Sequence, residues 1–320
     1  MFRVFRGKKN NMSKEKYLFG PVPSRRLGLS LGVDIVPLKT CTQNCLYCQL
    51  GRDAVQTLER KIYAPIEEVL AEIRSRIQTG LKADYITISG SGEPTLHSEL
   101  GRLIDEIHRL TSIPVAVITN GSLLWRQDVR DDCARADVVL PSLDAGDEQT
   151  FRKLNQPHPN IDFAKFVEGL CAFRREYRGP IWLEIFLCED INTDSKSIEN
   201  IGKLIDRIKP DKVQLNTAVR PTAHSHIRAV SPDRMKILAK KLGRNAEVIA
   251  DFSAEKMGLA GCDAISVLEM LRRRPCSTED LVAGLGARRE IILKIVADLL
   301  HTGQITAENR GRKMYYKPVQ

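Results

Sequence analysis

The chain has 320 residues, 42% of them apolar, which supports a buried core and excludes wholesale disorder. Lys and Arg number 49 against 40 Asp and Glu, a net charge of +9 that gathers at the two ends: residues 1–40 hold nine cations and two anions, and residues 262–320 hold ten and seven. Basic ends suit an anionic partner such as a nucleic acid, or serve solubility alone, and the lack of any apolar run near ~18 residues excludes a membrane-spanning helix.

Residues 1–16 read as a basic N-terminal extension without the apolar stretch of a secretory signal. With no export signal, the eight cysteines point to the reducing cytoplasm, where thiols serve as ligands, nucleophiles or core residues. From there strands and helices alternate. Residues 27–37 read as a strand, 65–79 as a helix with apolar residues near helical spacing, and 84–89 as a strand stopped by a Gly/Ser/Pro cluster. The pattern repeats as helix 98–110, strand 115–119, helix 123–134, strand 137–143, helix 161–177 and strand 181–187. Helix 194–208, with Asp194 as its N-cap, strand 212–216, helix 231–242 and a short strand at 247–250 complete it. Six strands alternating with helices predict an α/β fold built on a parallel sheet over residues 17–258, with ligands at the C-terminal strand ends whether the sheet is open or closed into a barrel.

Near Gly261 the character changes. Helices at 264–273, 277–284 and 287–301, then strand-like runs at 304–307 and 313–317, predict a winged helix-turn-helix domain over 262–320. Arg288 and Arg289 open its recognition helix, and Arg310, Arg312 and Lys313 lie on its wing. These five cations suit nucleic-acid contact, and the same scaffold equally serves packing or docking.

The strongest chemical signal is Cys41-Thr42-Gln43-Asn44-Cys45-Leu46-Tyr47-Cys48, three cysteines within eight residues of a chain that has eight in all. Core packing does not produce such a cluster. A structural zinc site takes four ligands and no neighbouring Cys or His supplies the fourth, whereas a 4Fe–4S cube held by three thiolates leaves one iron open to a small molecule. Cys133, Cys171, Cys188, Cys262 and Cys276 are isolated and read as structural.

The Cys-x3-Cys-x-aromatic-Cys motif resembles that of the radical S-adenosylmethionine enzymes, and the resemblance covers roughly residues 17–255. Gly90-Ser91-Gly92-Glu93-Pro94 looks like that superfamily's Gly-Gly-Glu-Pro segment, which holds the methionine amino group, with Ser91 in place of the first glycine and its Cβ expected to narrow the approach. Tyr47, Asn120, Ser142, Asp144, Glu184 and Asn216 fall where related enzymes contact the cofactor. Residues 20–28 and 47–51 further resemble the wyosine-synthase-like branch, although the extra cysteines of true wyosine synthases, which precede the radical motif, have no counterpart before Cys41.

The resemblance implies that the sheet curves into a partial (β/α)6 TIM-like barrel, and it implies one 4Fe–4S cluster, S-adenosylmethionine, and an external one-electron reductant of flavodoxin or ferredoxin type. It also implies reductive cleavage to a 5′-deoxyadenosyl radical that abstracts a substrate hydrogen. Arg26 and Arg220 are candidates for holding a substrate anion, and Arg26 alternatively pairs with Asp34. Three readings stay open: a radical enzyme acting on tRNA or another RNA, one acting on a protein or small molecule with the C-terminal domain as a docking module, and a redox-sensing DNA-binding regulator.

Overall fold

The computed structural model describes residues 16–249, 263–311 and 313–319. The chain opens with an antiparallel hairpin, β1 (Leu18–Ser24) and β2 (Gly28–Val33), followed by the two-residue strands β3 (Thr40–Cys41) and β4 (Val55–Gln56), which pair with each other on the cysteine loop. Then come α1 (Ile66–Gln78), β5 (Tyr85–Ile88), α2 (Leu100–Leu110), β6 (Val115–Thr119), α3 (Gln127–Cys133) and β7 (Val138–Pro141). Two helices, α4 (Glu148–Leu154) and α5 (Phe163–Glu176), precede β8 (Trp182–Leu187), α6 (Ser195–Ile208), β9 (Lys212–Thr217), α7 (Pro232–Leu242) and β10 (Ala246–Val248). Asp194 caps α6 by accepting from the Lys196 and Ser197 amides.

One sheet runs β1-β2-β5-β6-β7 and another β10-β9-β8. Isolated parallel bridges at Val139–Ile181 and Ser142–Glu184 join β7 to β8, so β2, β5, β6, β7, β8 and β9 form one curved parallel wall. This is the expected mixed α/β fold, consistent with a partial barrel.

Period-2 alternation divides the wall cleanly. Val115, Val117 and Val139 face the helices in the main core, and Ala116, Val138 and Leu140 face inward with Leu27. Further along the same inward face the residues turn polar: Thr87 and Ser89 after Tyr85, Asn120 after Ile118, Ser142 after Leu140, Glu184 after Trp182, and Asn216 after Gln214. Apart from Gln214 on β9, the inner face is therefore largely apolar at the N-terminal strand ends and hydrogen-bonding at the C-terminal ends.

The C-terminal module consists of α8 (Ala264–Arg273), α9 (Thr278–Leu285), α10 (Arg289–His301) and the antiparallel hairpin β11 (Ile305–Arg310) and β12 (Lys313–Pro318). Its core of Val267, Leu271, Leu281, Ile292, Val296 and Tyr316 is not self-contained, because Val22 of β1 belongs to the same cluster and Phe19 packs against it. Polar contacts fasten the same boundary: Arg220 pairs with Asp280 at 3.0 Å, Arg273 with Asp34 at 3.7 Å, and Arg310 donates to the Ile227 carbonyl.

Besides the two-residue strands β3 and β4, two elements depart from the sequence expectation. Strand β1 contains Gly20, Pro21 and Pro23, which argue against a strand; it is tolerated as a sheet edge, with α9 packed beside it. Helix α4 has only seven residues, too few to show helical periodicity, and is started by Asp147, which accepts from the Thr150 amide.

Candidate radical-chemistry site at the barrel mouth

A cavity of about 390 Å³ opens at the C-terminal strand ends. Cys41, Tyr47 and Cys48 line it, together with Gly90, Gly92, Glu93, Asn120, Ser142, Glu184 and Asn216. Residues predicted from six separate segments are thus brought together. Arg26 and Arg220 also reach the cavity, joined by Arg25 of the β1–β2 turn and by Met270, Arg273 and Arg274 of the C-terminal module.

The cysteine loop is gripped from several sides. The Glu93 amide donates to the Thr40 carbonyl (3.0 Å), the Leu46 amide to Leu154 O (2.9 Å), the Asn44 amide to Asn155 O (3.1 Å), and the Ala223 amide to Cys48 O (2.7 Å). The Thr42 and Ser122 hydroxyls meet at 2.6 Å. Amide groups are aimed at two of the sulfurs, with Asn120 Nδ2 lying 3.5 Å from Cys41 Sγ and Asn155 Nδ2 3.5 Å from Cys45 Sγ.

The three thiols are free and half-buried, and close enough to feel one another's charge. Burial, reinforced by Glu93, pushes Cys41 up to about 12, and burial with Asp144 raises Cys45 as well. Iron coordination reverses this preference by binding the thiolate. Among the described residues no three His, Cys, Asp or Glu side chains converge as on a single ion. Three free thiols on one loop suit a 4Fe–4S cube, which three thiolates hold with one iron left open, better than a structural zinc, which takes four ligands.

Two expected cofactor contacts lie elsewhere. Asp144 does not line the cavity; it sits behind Tyr47, accepting from the Tyr47 hydroxyl, from Asn155 Nδ2 (2.7 Å) and from the Phe186 amide (2.8 Å). Its role is to fix the Tyr47 ring, which stacks on Phe186 at 4.0 Å. Ser91 turns away from the cavity, its hydroxyl and amide both held by the Asp34 carboxylate, so its Cβ does not narrow the approach. Gly92 is demanded by the cysteine loop, since a Cβ there would stand 1.9 Å from Thr40 O.

Glu93 is buried and accepts from Thr95 N (3.0 Å), Thr95 Oγ1 (2.6 Å), Thr119 Oγ1 (2.6 Å) and the Asn120 amide (2.7 Å). Burial nevertheless raises its carboxyl above the ordinary range.

Arg26 pairs with Glu184, not with Asp34, and Asn216 Nδ2 donates to the same Glu184 at 2.9 Å. Burial, with Arg25 and Arg274 nearby, lowers Arg26 to about 9, still cationic at neutral pH.

The cations expected to meet nucleic acid are differently placed. Arg288 is the exposed N-cap of α10, Arg289 pairs with Glu279 at 2.6 Å, Arg310 is drawn to Ile227 O, Lys313 stands opposite Arg310 in the hairpin, and Arg312 lies outside the described residues. Tyr315 and Tyr316 lie on opposite faces of β12 by strand alternation, and both are buried. Cys133, Cys171, Cys188 and Cys276 are buried free thiols as expected, and Cys262 lies outside the described residues.

Sequence reasoning missed Asn155, the C-cap of the unrecognised α4, and Arg273 and Arg274, which meet the cavity only through domain packing. The one local hint was Pro275, which ends α8 and leaves Arg274 extended.

The Radical SAM superfamily model matches residues 35–198. The chain is 39% identical over 299 residues to a protein named GTPase Obg from Brachyspira hyodysenteriae, covering 92% of this chain but 44% of that protein, so it spans less than half of that relative's length. UPF0026 proteins of Methanocaldococcus jannaschii and Helicobacter pylori are 33% and 30% identical, over 94% and 95% of this chain and 96% and 99% of theirs. In fold it is similar to TYW1 with a lysine–pyruvate adduct bound, with a TM-score of 0.54, 22% identity and coverage of 70% of this chain and 75% of that one. A radical SAM methyltransferase from Sphaerobacter thermophilus gives 0.52 at 18% identity, over 68% and 66%. By its matched family region, which spans just over half of the chain, the chain belongs to the radical S-adenosylmethionine superfamily of enzymes.

Proposed function

We propose that this enzyme binds one 4Fe–4S cluster on Cys41, Cys45 and Cys48, cleaves S-adenosylmethionine reductively, and abstracts a hydrogen atom from a substrate held between the barrel mouth and the C-terminal module. The observation that carries the reading is the three-cysteine loop at the polar edge of the parallel wall, with Asn120 and Asn155 amides directed at two of its sulfurs. A cluster held by Cys41, Cys45 and Cys48 would supply one-electron reduction of the S-adenosylmethionine sulfonium, and with it the radical chemistry that hydrogen abstraction needs, the electron coming from an external flavodoxin- or ferredoxin-type donor.

The chain's own residues bind and orient. Amide donors stabilise anionic sulfur and tune the cluster's potential. The Gly90–Glu93 edge is suited to the methionine amino group, and Asn120, Ser142, Glu184 and Asn216 offer hydrogen bonds along one side of the cavity. Tyr47, fixed by Asp144 and Phe186, shields the loop from water.

Three helices followed by a hairpin support the winged-helix reading of the C-terminal module. Its packing on β1, the contacts that occupy Arg289 and Arg310, and the burial of both hairpin tyrosines favour a module that helps build the chamber over an open nucleic-acid reader. RNA modification is the alternative substrate reading, in which the exposed Arg288 contributes backbone contacts.

The test is anaerobic reconstitution followed by reduction and quantification of 5′-deoxyadenosine. About four irons per chain are expected. Substituting any of Cys41, Cys45 and Cys48 by Ala abolishes the brown chromophore and the cleavage, whereas Cys133→Ala and Cys188→Ala retain the iron. About eight irons, or no cleavage by a fully loaded and reduced protein, defeats the reading.

A further inference from the structure

Behind the reaction cavity lies a second one of about 620 Å³, with Asp34, Tyr63 and Ser91 of the barrel on one side and Glu269, Arg272 and Arg273 of α8 on the other. One side chain, Arg273, lines both cavities. The segment that follows β5 stands between them, since Gly90 and Gly92 line the first and Ser91 lines the second.

Asp34, just past the end of β2, holds that segment from behind. Its carboxylate accepts from the Ser91 amide at 3.1 Å and from the Ser91 hydroxyl. Gly90 lies so near that a Cβ there would stand 2.5 Å from Asp34 Cγ, and its φ of +136° is one that side-chain-bearing residues rarely adopt. The backbone at 90–91 and the carboxylate are thus fitted to each other. The other ties of this segment to the cysteine-loop entry are backbone bonds, from the Lys39 amide to Ser91 O (2.6 Å) and from the Glu93 amide to Thr40 O (3.0 Å).

The cation that Asp34 pairs with comes from the C-terminal module. Arg273 Nε lies 3.7 Å from Asp34 Oδ2, and both side chains are largely buried. That separation exceeds a hydrogen bond, so the pair acts through charge, which burial leaves little screened. Arg273 is fixed in turn by its own module boundary: its guanidinium lies over the Phe19 ring at 4.6 Å and donates to the Glu269 carbonyl at 3.1 Å. A displacement of α8 therefore moves the charge that faces Asp34, and Asp34 carries the Gly90–Ser91 backbone.

We propose that Asp34 is a positioning residue for the Gly90–Glu93 edge and that Arg273 couples it to the C-terminal module, so that docking of the module raises the affinity of this edge for S-adenosylmethionine and the bound cofactor tightens the docking in return. The inference rests on the reading that this edge receives the methionine amino group, and adds that the module governs it.

The test is calorimetry of S-adenosylmethionine binding to the full chain with its cluster loaded but not reduced. Asp34→Asn is expected to weaken binding about tenfold and Arg273→Met about fivefold, within the usual range for coupled sites, with Arg273→Lys intermediate. The double variant should bind no more weakly than Asp34→Asn, because Arg273 acts through Asp34. Iron content should stay at about four per chain in each. Arg310→Gln, which removes a boundary contact remote from Asp34, should change the affinity by less than about twofold. In the unsubstituted protein S-adenosylmethionine should also slow amide hydrogen exchange in the last turn of α8 and not in α10, a readout that needs no variant to fold. The proposal is overturned by unchanged affinity in Arg273→Met, by losses that multiply in the double variant, by an equal loss in Arg310→Gln, or by protection confined to the barrel. Failure of the unsubstituted, loaded protein to bind S-adenosylmethionine would instead defeat the functional reading itself, and this inference with it.

Discussion

The cysteine-loop side of the cavity and the face where the C-terminal module meets the barrel both bury charge, and they satisfy it in opposite ways. Beside the loop, Glu93 and Asp144 are surrounded by neutral donors: hydroxyls, backbone amides and the Asn155 side chain. At the module boundary the buried groups are ion pairs, Arg220–Asp280 and Arg273–Asp34, set around the apolar contact of Val22 with α8 and α9. Neutral donors fix geometry without adding a counter-charge beside the cluster. Ion pairs add directional docking, and breaking one strands a buried charge. The difference teaches that the loop is built for position, whereas the module boundary is built for attachment.

Deleting residues 262–320 strikes that attachment hardest. It removes Met270, Arg273 and Arg274 from the cavity wall and uncovers Phe19 and Val22. The expected outcome is aggregation with loss of cleavage activity, followed by light scattering and 5′-deoxyadenosine assay; a soluble, monomeric, cleaving fragment would show the module to be independent. Arg220→Met alone is expected to cost about 3 kcal/mol in denaturant unfolding, much of it recovered by adding Asp280→Leu.

The glycine segment sharpens the other side. Gly92→Ala must push Thr40, and the cysteine loop with it, away from the glycine segment, because the new Cβ would stand 1.9 Å from the Thr40 carbonyl oxygen. Iron content should therefore fall several-fold on reconstitution, while Ser91→Ala, which removes only the hydroxyl bond to Asp34, costs about 1–2 kcal/mol of stability and keeps the iron. Equal iron loss in the two variants would erase the distinction.

Glu93→Gln tests the neutral-donor arrangement through pH. The folded carboxyl titrates above its unfolded value because burial penalises the charged form. The native state then binds the extra proton, and stability falls as pH rises from about 4 through the raised value. Apoprotein melting curves for Glu93→Gln should lose this slope, with a general cost of about 1–3 kcal/mol because an acceptor becomes a donor. An unchanged slope would place the pH dependence elsewhere.

The smallest effect is expected on the exposed face of the module. Arg288→Gln should shift stability by less than about 0.5 kcal/mol. If the RNA reading holds, log affinity should fall with log salt by about 0.7–0.9 per phosphate contacted, and Arg288→Gln should reduce that slope. Absence of salt-sensitive binding leaves the module as part of the chamber alone.

The wall of the barrel was legible in the sequence because each strand is a run of apolar residues followed by polar or glycine-rich punctuation. The strand predicted at 115–119 agrees with β6, and the Asp194 cap is where its side-chain chemistry puts it. Strand β1 and helix α4 were not legible: the first is rich in Gly and Pro, and the second is too short to carry a period. For the same reason Asn155 escaped notice, since its value lies in its position beside Cys45, 110 residues earlier in the chain.

By itself the sequence determined the cysteine spacing, the order of strands and the class of chemistry, because these depend on local spacing and on period. The tertiary structure alone decided that Ser91 and Asp144 hold neighbouring residues and not the cavity, that Arg26 meets Glu184, and that Arg274 reaches the barrel mouth. Each of those facts depends on which distant segments pack together, and no residue type announces its partner across a fold.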